Sequence, residues 1–370
     1  MGAILTYDSG KFEDYVTKLK TMASFSRLFS ESDSPFIHYR VSENLYADCL
    51  GAINVSRKDC TADAIYGKTG VGIKTFINEN LQKIAEFNEL RPQYTGLKGI
   101  KLAKEISKYR NLRIETTIRS YGLNQMIYHY VVREPGVVKI FECPMHKVDI
   151  DRIKIIEESN KKIVFTDGLE EYEFMFSKST LFKRFDLSDP FCTFEVSIIS
   201  DPIDALVAYL KETMETAPSA DFFTIPVQPN QLIIPLYAKT RKGDHVVNQK
   251  SGLNNWNAGG RKRDINEVYI NFPAEIRHEH PDFFPHKDVK WDLRLPDGKH
   301  LSMKLCQQGE KAIMSNPNKA LGKWLLRDVL NLEEGKVLTY EYLLEVGIDS
   351  VIFTKEDDTH FSVDFIAFDE

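Results

Sequence analysis

The character of the sequence changes at one short segment, and this change points to a chain of two domains. Before residues 216–220, segments with helical spacing alternate with strand-like runs, whereas after them short strand-like runs alternate with turn signals. The segment consists of small residues and a proline, and it follows a helix predicted to begin at Pro202, so it predicts a linker. Because 370 residues suit two compact domains better than one, we predict a first domain over 1–217 and a second over 222–370.

The first domain is predicted to be an α/β fold, in which a mixed sheet is flanked by helices. Helical spacing covers 12–22, 43–53 and 77–90, and Ser42 is placed to cap the second of these helices. Strand-like runs cover 70–76, 124–133, 136–143, 162–165 and 172–176.

The second domain is predicted to be a small β-barrel or sandwich that carries one or two helices. One helix is clear: Asn316 is predicted as its N-cap and Pro317 as its first residue, and apolar residues from Ala320 to Leu330 form its buried stripe. The predicted strands cover 232–237, 267–272, 291–295, 300–305, 350–354 and 362–368.

Composition argues against membrane, secreted and zinc-binding proteins. The sequence begins without a basic segment followed by an apolar run, and it contains no stretch of about 18 apolar residues. Its five cysteines are scattered without a C-x-x-C pair, which argues against a disulfide framework or a zinc site. We therefore expect a soluble, cytoplasmic protein that does not associate with a membrane.

Charge is distributed unevenly along the second domain. Residues 239–263 contain seven Lys or Arg against one acid, and residues 301–327 contain five against one. Residues 328–370 contain two lysines against twelve acids. The chain is acidic overall, with a net charge of −6, so these two basic segments are candidates for an anionic partner. The alternative is that they form ordinary solvated loops.

The loop at 251–263 is rich in side chains that recognise the edges of bases. Asparagine suits adenine, arginine and lysine suit guanine, and three consecutive cations attract phosphates. The alternative is an Asn/Gly-rich turn with Trp256 packed into the core. A second segment, 306–316, again offers amides and a lysine at a turn, and Lys319 and Lys323 follow one helical turn apart. Its alternative is a plain strand-to-helix connection with solvated lysines.

Three features of the second domain resemble B3-like DNA-recognition domains, which occur in some restriction endonucleases and in plant transcription factors. They are LNNWNAGGRKRDINEVYI at 253–270, HPDFFP at 280–285 and KALGKWL at 319–325. The resemblance covers 222–370 and implies a pseudobarrel that grips the major groove with two arms, at 239–263 and at 307–323. It implies contacts with double-stranded DNA from Lys239, Arg241, Lys242, Asn254, Asn255, Trp256, Asn257, Arg261, Lys262, Arg263, Gln307, Gln308, Lys311, Asn316, Lys319 and Lys323.

Some restriction enzymes with such a domain carry a phospholipase-D-like nuclease, but this chain lacks the corresponding motif. That chemistry needs His-x-Lys, in which the histidine attacks phosphorus and the lysine holds a phosphate oxygen. None of the nine histidines has a lysine two residues later. We therefore expect a catalytic domain of another kind.

The segment 61–76 instead resembles the PD-(D/E)XK nuclease core. Asp63 is followed, after a short gap, by Lys74 on a strand, and GVGIKT resembles the GVELKT strand of the mismatch-repair nicking nuclease and its restriction relatives. The resemblance implies Mg²⁺ held against the scissile phosphate by a carboxylate, with the lysine orienting the attacking water. The sequence departs from the motif at one position, because the second acid is replaced by Gly72.

Another carboxylate is needed to replace the acid missing at Gly72. In some enzymes of this superfamily the acid has moved to the following helix, so Glu86 on the predicted helix 77–90 is the first candidate, and Glu89 the next. The predicted metal ligands are thus Asp63 and Glu86. Glu43, on the preceding helix, matches the position of an auxiliary glutamate. The alternatives are a turn role for Asp63, a snorkelling lysine at a strand end for Lys74, a solvated helix position for Glu86 and a first-turn partner of the helix dipole for Glu43.

Together these features predict a bacterial type II restriction endonuclease that hydrolyses double-stranded DNA with Mg²⁺. Cutting both strands calls for two active sites, so a homodimer is a further expectation. Two alternatives remain: a metal-independent endonuclease with a divergent catalytic domain, and a DNA-binding protein that does not cut.

Overall fold

A computed structural model of the chain describes residues 4–56, 60–77, 79–214, 230–240, 243–287 and 289–366. The predicted linker, the predicted domain limits at 217 and 222, and Arg241 and Lys242 lie outside these residues. The chain divides into two compact units. Unit 1 comprises Met1–Ser56, Ala62–Glu86 and Gln125–Val227, and unit 2 comprises Arg57–Thr61, Phe87–Asn124 and Gln228–Glu370.

The helices of both units are numbered together in chain order. They are α1 (Ser9–Ser24), α2 (Tyr39–Leu50), α3 (Arg91–Tyr94), α4 (Gly99–Tyr121), α5 (Pro202–Met214), α6 (Ala274–Glu279), α7 (Ala320–Gly322) and α8 (Tyr340–Val346). Within the described residues, none of these helices is long and apolar enough to cross a membrane.

Unit 1 contains a mixed six-stranded sheet and an antiparallel five-stranded sheet. The order of the first is β1-β2-β3-β5-β6-β11, with β3 and β5 parallel, and the order of the second is β4-β10-β9-β8-β7. The strands are β1 (Ile53–Asn54), β2 (Ala64–Tyr66), β3 (Thr69–Ile77), β4 (Leu81–Glu86), β5 (Gln125–Glu134), β6 (Val137–Pro144), β7 (Lys154–Glu158), β8 (Lys162–Thr166), β9 (Glu171–Met175), β10 (Thr180–Arg184) and β11 (Cys192–Glu195). The prediction of a mixed sheet with helices is confirmed.

Helices α1 and α2 cover one face of the six-stranded sheet. Tyr15 and Leu19 of α1 and Tyr46 of α2 pack with Val71 and Ile73 of β3 in one buried core. Because side chains alternate along a strand, Gly72 and Lys74 point to the opposite face of β3. This alternation decides which candidate side chains can share a site.

Two details of the predicted helices in unit 1 are wrong. Ser42 does not cap α2, since the helix already begins at Tyr39 with His38 as its N-cap, and Ser42 is buried inside it. Residues 77–90 do not form a helix, because Leu81–Glu86 is strand β4, which pairs along its length with β10. Apolar spacing over so short a run does not outweigh the hydrogen bonds that a neighbouring strand supplies.

Unit 2 contains a near-closed, barrel-like sheet of seven strands, which confirms the barrel among the two predicted alternatives. Its order is β12-β19-β20-β16-β17-β18-β15, antiparallel except for the parallel pair β16 and β20. The strands of the unit are β12 (Gln231–Pro235), β13 (Ala238–Lys239), β14 (His245–Val246), β15 (Ile270–Asn271), β16 (Trp291–Arg294), β17 (His300–Cys306), β18 (Ala312–Ser315), β19 (Ser350–Lys355) and β20 (His360–Ile366); β13 and β14 pair separately.

The helix after β18 begins later than predicted. The peptide bond between Asn316 and Pro317 is cis, α7 starts only at Ala320, and a π-helical segment continues from Lys323 to Val329. The hydroxyl of Ser315 accepts a hydrogen bond from the backbone N–H of Leu321 at 2.8 Å. Ser315 therefore has the capping role that was predicted for Asn316. The predicted apolar stripe is buried in the core of the unit.

The longest helix, α4, packs within unit 2, although it lies between β4 and β5 in the sequence. Arg119 donates a hydrogen bond to the carbonyl of Val329 at 3.1 Å, and the Tyr121 hydroxyl donates to Asp364 at 2.6 Å. The compact unit around the barrel thus takes in residues that the sequence analysis grouped with the first domain.

Candidate functional site

Asp63 and Glu43 lie close together in unit 1, where β2 separates from β3. Asp63 directly precedes β2, and its carboxylate accepts a hydrogen bond from the backbone N–H of Ile73 at 2.6 Å. Glu43 is buried on α2 and accepts a hydrogen bond from Arg40 at 3.1 Å. Burial and then the charge of Asp63 raise the pKa of Glu43 above its usual 4.5. The structure therefore brings two of the predicted acids together.

Lys74 is half-buried and directly follows Ile73, whose backbone N–H donates to Asp63. Strand β2 pairs only with Thr69–Val71, so this part of β3 lies beyond the described pairing with β2. Lys74 is in register with Tyr130 of β5, on the face opposite to the core that includes α2. The backbone near Lys74 therefore adjoins the two acids, while its side chain leaves β3 on the other face.

The position of the missing acid is filled by neighbouring side chains. A Cβ atom at Gly72 would lie 2.7 Å from Cε of Met145 and 3.1 Å from Cδ1 of Tyr128. Both distances are shorter than ordinary contacts, so any side chain at residue 72 requires its neighbours to move. The glycine therefore fits the packing of this face of the sheet.

Glu86 does not occupy the position predicted for it. It is the last residue of β4 in the five-stranded sheet, where it pairs with Lys83. A strand stands where a helix was expected to bring Glu86 next to Lys74, and Glu89 lies beyond the end of this strand. Of the glutamates considered, Glu43 is the one that the structure brings near Asp63.

Two carboxylates suit a Mg²⁺ ion better than a transition metal. Within the described residues, no group of three or more His, Cys, Asp or Glu side chains is arranged to hold a metal. Mg²⁺ requires fewer protein ligands, since it keeps several waters and binds through one or two carboxylates and substrate phosphates. Asp63 and Glu43 therefore offer the kind of donor that Mg²⁺ takes.

In unit 2, the loop at 251–263 contains a 3₁₀ helix, Gly252–Asn257, and precedes β15. Asn254 is fully buried, and its amide donates to the carbonyls of Asn248 at 3.0 Å and Leu338 at 2.8 Å. Its side-chain oxygen accepts from the N–H of Leu338 at 2.9 Å. The amide is thus occupied in holding the loop, which corrects the prediction that Asn254 contacts a base.

The neighbouring residues divide between the core and the surface. Trp256 is half-buried and packs against the core of unit 2, as the structural alternative predicted. Asn257 is exposed and donates to the carbonyl of Gln249 at 3.0 Å, while Asn255 donates to Glu267 at 3.4 Å. Of the three asparagines, Asn257 is the most accessible to a partner.

Glu267, a residue that the sequence analysis did not select, organises the cations of this loop. It is 5% exposed and forms a two-point ion pair with Arg261, in which Nη1 of Arg261 lies 3.1 Å from Oε2. Nε of Arg263 lies 3.8 Å from Oε1. The signal available in the sequence was an acid four residues after the last of three consecutive cations.

The second predicted segment forms the turn between β17 and β18. Gln307 and Glu310 adopt positive φ angles of 70° and 57°, and Arg277 donates to the carbonyl of Gly309. The half-buried residues are Gln307 and Asn316, and the exposed ones are Gln308, Lys311, Lys319 and Lys323. Lys239, on β13, is also exposed.

Residues 227–357 match the family model described as the NgoFVII C-terminal B3-like DNA-binding domain. Together with the near-closed barrel, this match defines what the segment resembles. The C-terminal segment is similar to the B3-like DNA-binding domain of a restriction enzyme. The match covers about a third of the chain and none of the residues around Asp63. No curated protein matches the chain.

The region that matches this family model carries the two basic segments found in the sequence. The first arm, 239–263, contains exposed Arg261 and Lys262, and the second arm, 307–323, contains the exposed lysines named above. Cations that remain accessible at the surface attract a polyanion, whereas buried ones serve the fold. The arms therefore offer an accessible basic surface on an otherwise acidic chain.

Proposed function

We propose that this chain is a sequence-specific restriction endonuclease that hydrolyses double-stranded DNA in the presence of Mg²⁺. The observation that carries the proposal is the match of residues 227–357 to a DNA-binding domain of a restriction enzyme. The B3-like domain would bind the duplex, and unit 1 would contain the nuclease site.

The binding half of the proposal rests on the arrangement of charge and amides in the two arms. Arg261, Lys262 and Asn257 are exposed in the first arm, and Gln308 and Lys311 are exposed in the second. Cations supply affinity for phosphates, while amides and guanidinium groups distinguish bases in the major groove. Each arm therefore exposes at least one cation and one amide. The guanidinium group is exposed in the first arm.

The cleavage half rests on Asp63, Glu43 and Lys74. Asp63 and Glu43 would hold the Mg²⁺ ion, which replaces the predicted pair of Asp63 and Glu86. When bound, this ion supplies Lewis-acid stabilisation of the charge that develops on the phosphate. The resemblance of GVGIKT to the nuclease strand gives Lys74 the role of orienting the attacking water, which requires its ammonium group to reach round from the other face of β3. Because both DNA strands must be cut, we infer a homodimer, and we place its activity in the bacterial cytoplasm.

A second candidate is a DNA-binding protein that does not cleave. It is favoured by the packing at Gly72, where Met145 and Tyr128 occupy the space of the motif's second acid. The direction of Lys74, on the opposite face from α2, favours it too. A metal-independent endonuclease is a third candidate, and activity in EDTA would distinguish it from the first.

The variant Lys74→Ala separates these candidates when cleavage and binding are measured on the same preparation. We expect plasmid cleavage to fall at least about a hundredfold, with unchanged binding in a gel-shift assay. Lys68→Ala is the matched control, because Lys68 is exposed in the turn between β2 and β3. Loss of binding together with cleavage would mean that Lys74 is structural, and full activity of Lys74→Ala would exclude it from the site.

A further inference from the structure

The three consecutive cations of the first arm, Arg261, Lys262 and Arg263, occupy three different environments. The side chain of Arg261 is 55% exposed, whereas that of Arg263 is 15% exposed. Lys262 is exposed, and its ammonium makes no ion pair within the part of the chain that the structure describes. These three residues therefore cannot be interchangeable contacts to the same partner.

Arg263 is used to hold the loop together. Its Nη1 atom donates to the carbonyls of Ala258 at 2.7 Å and Gly259 at 2.9 Å, and it lies 3.3 Å from the carbonyl of Arg261. A guanidinium surrounded by carbonyls of its own loop fixes the loop's shape. It is poorly placed to leave that position for a ligand.

Contacts with Glu267 and with a backbone carbonyl fix the guanidinium group of Arg261, and its remaining donors indicate a specific function. A guanidinium group has five N–H donors. Glu267 accepts one from Nη1 and one from Nη2, and the carbonyl of Lys262 accepts the second from Nη1 at 3.2 Å. Among the contacts between described residues, the two donors left are Nε–H and the second N–H of Nη2. They lie side by side on one edge of the planar group and point in the same direction.

Two parallel donors on a fixed plane match the acceptors that guanine presents in the major groove. N7 and O6 of guanine take a bidentate pair of hydrogen bonds from arginine, and no other base offers two acceptors at these positions. A phosphate also accepts two parallel hydrogen bonds from an arginine, but the carboxylate of Glu267 lies against Arg261 and reduces the net positive charge offered to a phosphate. The pairing with Glu267 therefore favours the neutral acceptors of a base over a phosphate.

We propose that Arg261 reads a guanine through its Nε/Nη2 edge, and that Glu267 is the positioning residue that holds this edge towards the groove. Lys262 contacts phosphate without regard to sequence, and Arg263 maintains the loop. This inference rests on the proposed function, since it requires that the B3-like domain binds duplex DNA.

Glu267 is suited to position the arginine because it is itself fixed. It precedes Val268, Tyr269 and Ile270, which are buried, and Asn255 lies 3.4 Å from its Oε1 atom. Its negative charge lowers the general attraction of the loop for phosphates. A carboxylate at this position therefore weakens non-specific binding, and it also fixes the orientation of the guanidinium group of Arg261.

The test begins with selection of preferred sequences from a pool of duplexes with a randomised centre. Wild-type protein is expected to enrich a motif with at least one required guanine. Binding is then measured to the selected duplex, to the same duplex with 7-deazaguanine at each guanine in turn, and to a scrambled duplex. Replacing one particular guanine by 7-deazaguanine should weaken wild-type binding about tenfold, because N7 is lost as an acceptor.

Glu267→Gln should weaken specific binding without weakening non-specific binding. We expect about tenfold weaker binding to the selected duplex, and unchanged or tighter binding to the scrambled one, since a negative charge has been removed. A residue that only stabilised the loop would weaken both. Equal weakening of both, or an unchanged preference for the selected duplex, would overturn the role of Glu267.

Arg261→Lys provides a second variant that leaves Glu267 in place. It retains the charge but lacks the paired donors, so it should lose the preference for one guanine and become insensitive to 7-deazaguanine there. Lys262→Gln is the matched control, and it should weaken binding to all duplexes alike. The slope of log binding constant against log salt concentration should become shallower by about one, which corresponds to one lost phosphate contact.

The outcomes distinguish this inference from the proposed function. Retention of the motif by Arg261→Lys, or its loss by Lys262→Gln, would overturn the assignment of Arg261 while DNA binding stands. Failure of the wild-type protein to bind any duplex would overturn the proposed function and, with it, this inference.

Discussion

The carboxylate of Asp63 accepts a hydrogen bond from the backbone N–H of Ile73 at 2.6 Å, and this contact places the acid beside the residue that precedes Lys74. The hydrogen bond supports β3 at the point where the pairing with β2 ends. Asp63 therefore has a structural part in addition to the catalytic part proposed for it. The two can be separated, because an amide accepts the same hydrogen bond but does not replace the charge.

Asp63→Asn should abolish cleavage while it preserves stability. The side-chain oxygen of the introduced asparagine can still accept from Ile73, whereas the loss of charge removes a proposed Mg²⁺ ligand. Asp63→Ala should lose both the hydrogen bond from Ile73 and the proposed Mg²⁺ ligand. Its free energy of unfolding should be lower than that of the asparagine variant by about 1 kcal/mol. Cleavage assays and urea denaturation measure the two effects. Wild-type cleavage by Asp63→Asn would exclude Asp63 from the nuclease site.

Gly72→Ala should lower the free energy of unfolding by about 1 kcal/mol, because its new methyl group meets Cε of Met145. Since that atom ends a flexible side chain, shortening it should relieve the contact. In the Met145→Ala background the same substitution should cost less, with a coupling energy of at least about 0.5 kcal/mol. Urea denaturation of the four proteins completes the cycle. Additive effects would show that Met145 does not restrict residue 72.

Asn254→Ala should destabilise unit 2 by about 2 kcal/mol. The substitution leaves the buried N–H and C=O groups of Leu338 without their partner, and unsatisfied buried polar groups are costly. Asn257→Ala is the control, since this asparagine is exposed and should change stability by less than about 0.5 kcal/mol. Thermal unfolding compares them. Equal stability of the two variants would restore Asn254 as a candidate base contact.

The buried carboxylate of Glu142 should make unit 1 sensitive to acid. It lies 3.1 Å from His129 and accepts hydrogen bonds from Tyr7 and from the backbone N–H groups of Ile4 and Leu5. Burial alone would raise the pKa of Glu142, but the bonds from His129, Tyr7 and Leu5 outweigh it and hold the pKa below its usual 4.5.

A carboxyl with a lowered pKa in the folded state stabilises the fold above the pKa of the unfolded state. That contribution is lost as the pH falls through the folded-state pKa. The free energy of unfolding should therefore fall below about pH 4.5. Glu142→Gln should unfold more easily at pH 7 by about 1–3 kcal/mol and depend less on pH in the acid range. Urea denaturation between pH 7 and pH 3 tests this, and parallel pH profiles would contradict it.

Most strands of the two units could be predicted from the sequence. Of the candidate site, the positions of some residues could be predicted and that of Glu86 could not. Strand β3 and the buried stripe of Leu321, Leu325 and Val329 follow from periodicity, since each segment packs one defined face into a core. The position of Glu86 could not be predicted, because strand pairing with β10 overrides a helical spacing of only four apolar residues.

The roles of polar residues in the first arm depend on contacts that are distant in sequence. Asn254 binds Leu338, 84 residues away, so its burial is invisible to local patterns. Asn254, Asn255 and Asn257 look equivalent in sequence, yet they lie in the core, beside Glu267 and at the surface. The charge of a loop can thus be predicted from sequence, whereas the division of its side chains between fold and partner requires the structure.

The most direct test of the proposed function is a digest of unmethylated phage DNA by the purified protein, with Mg²⁺ and in parallel with EDTA. Asp63→Asn serves as the matched control for a contaminating nuclease. We predict discrete fragments with Mg²⁺, and none with EDTA or with the variant. Fragments in EDTA would contradict the metal-dependent mechanism. The absence of fragments in both, with specific binding retained, would show that the chain recognises DNA without cutting it.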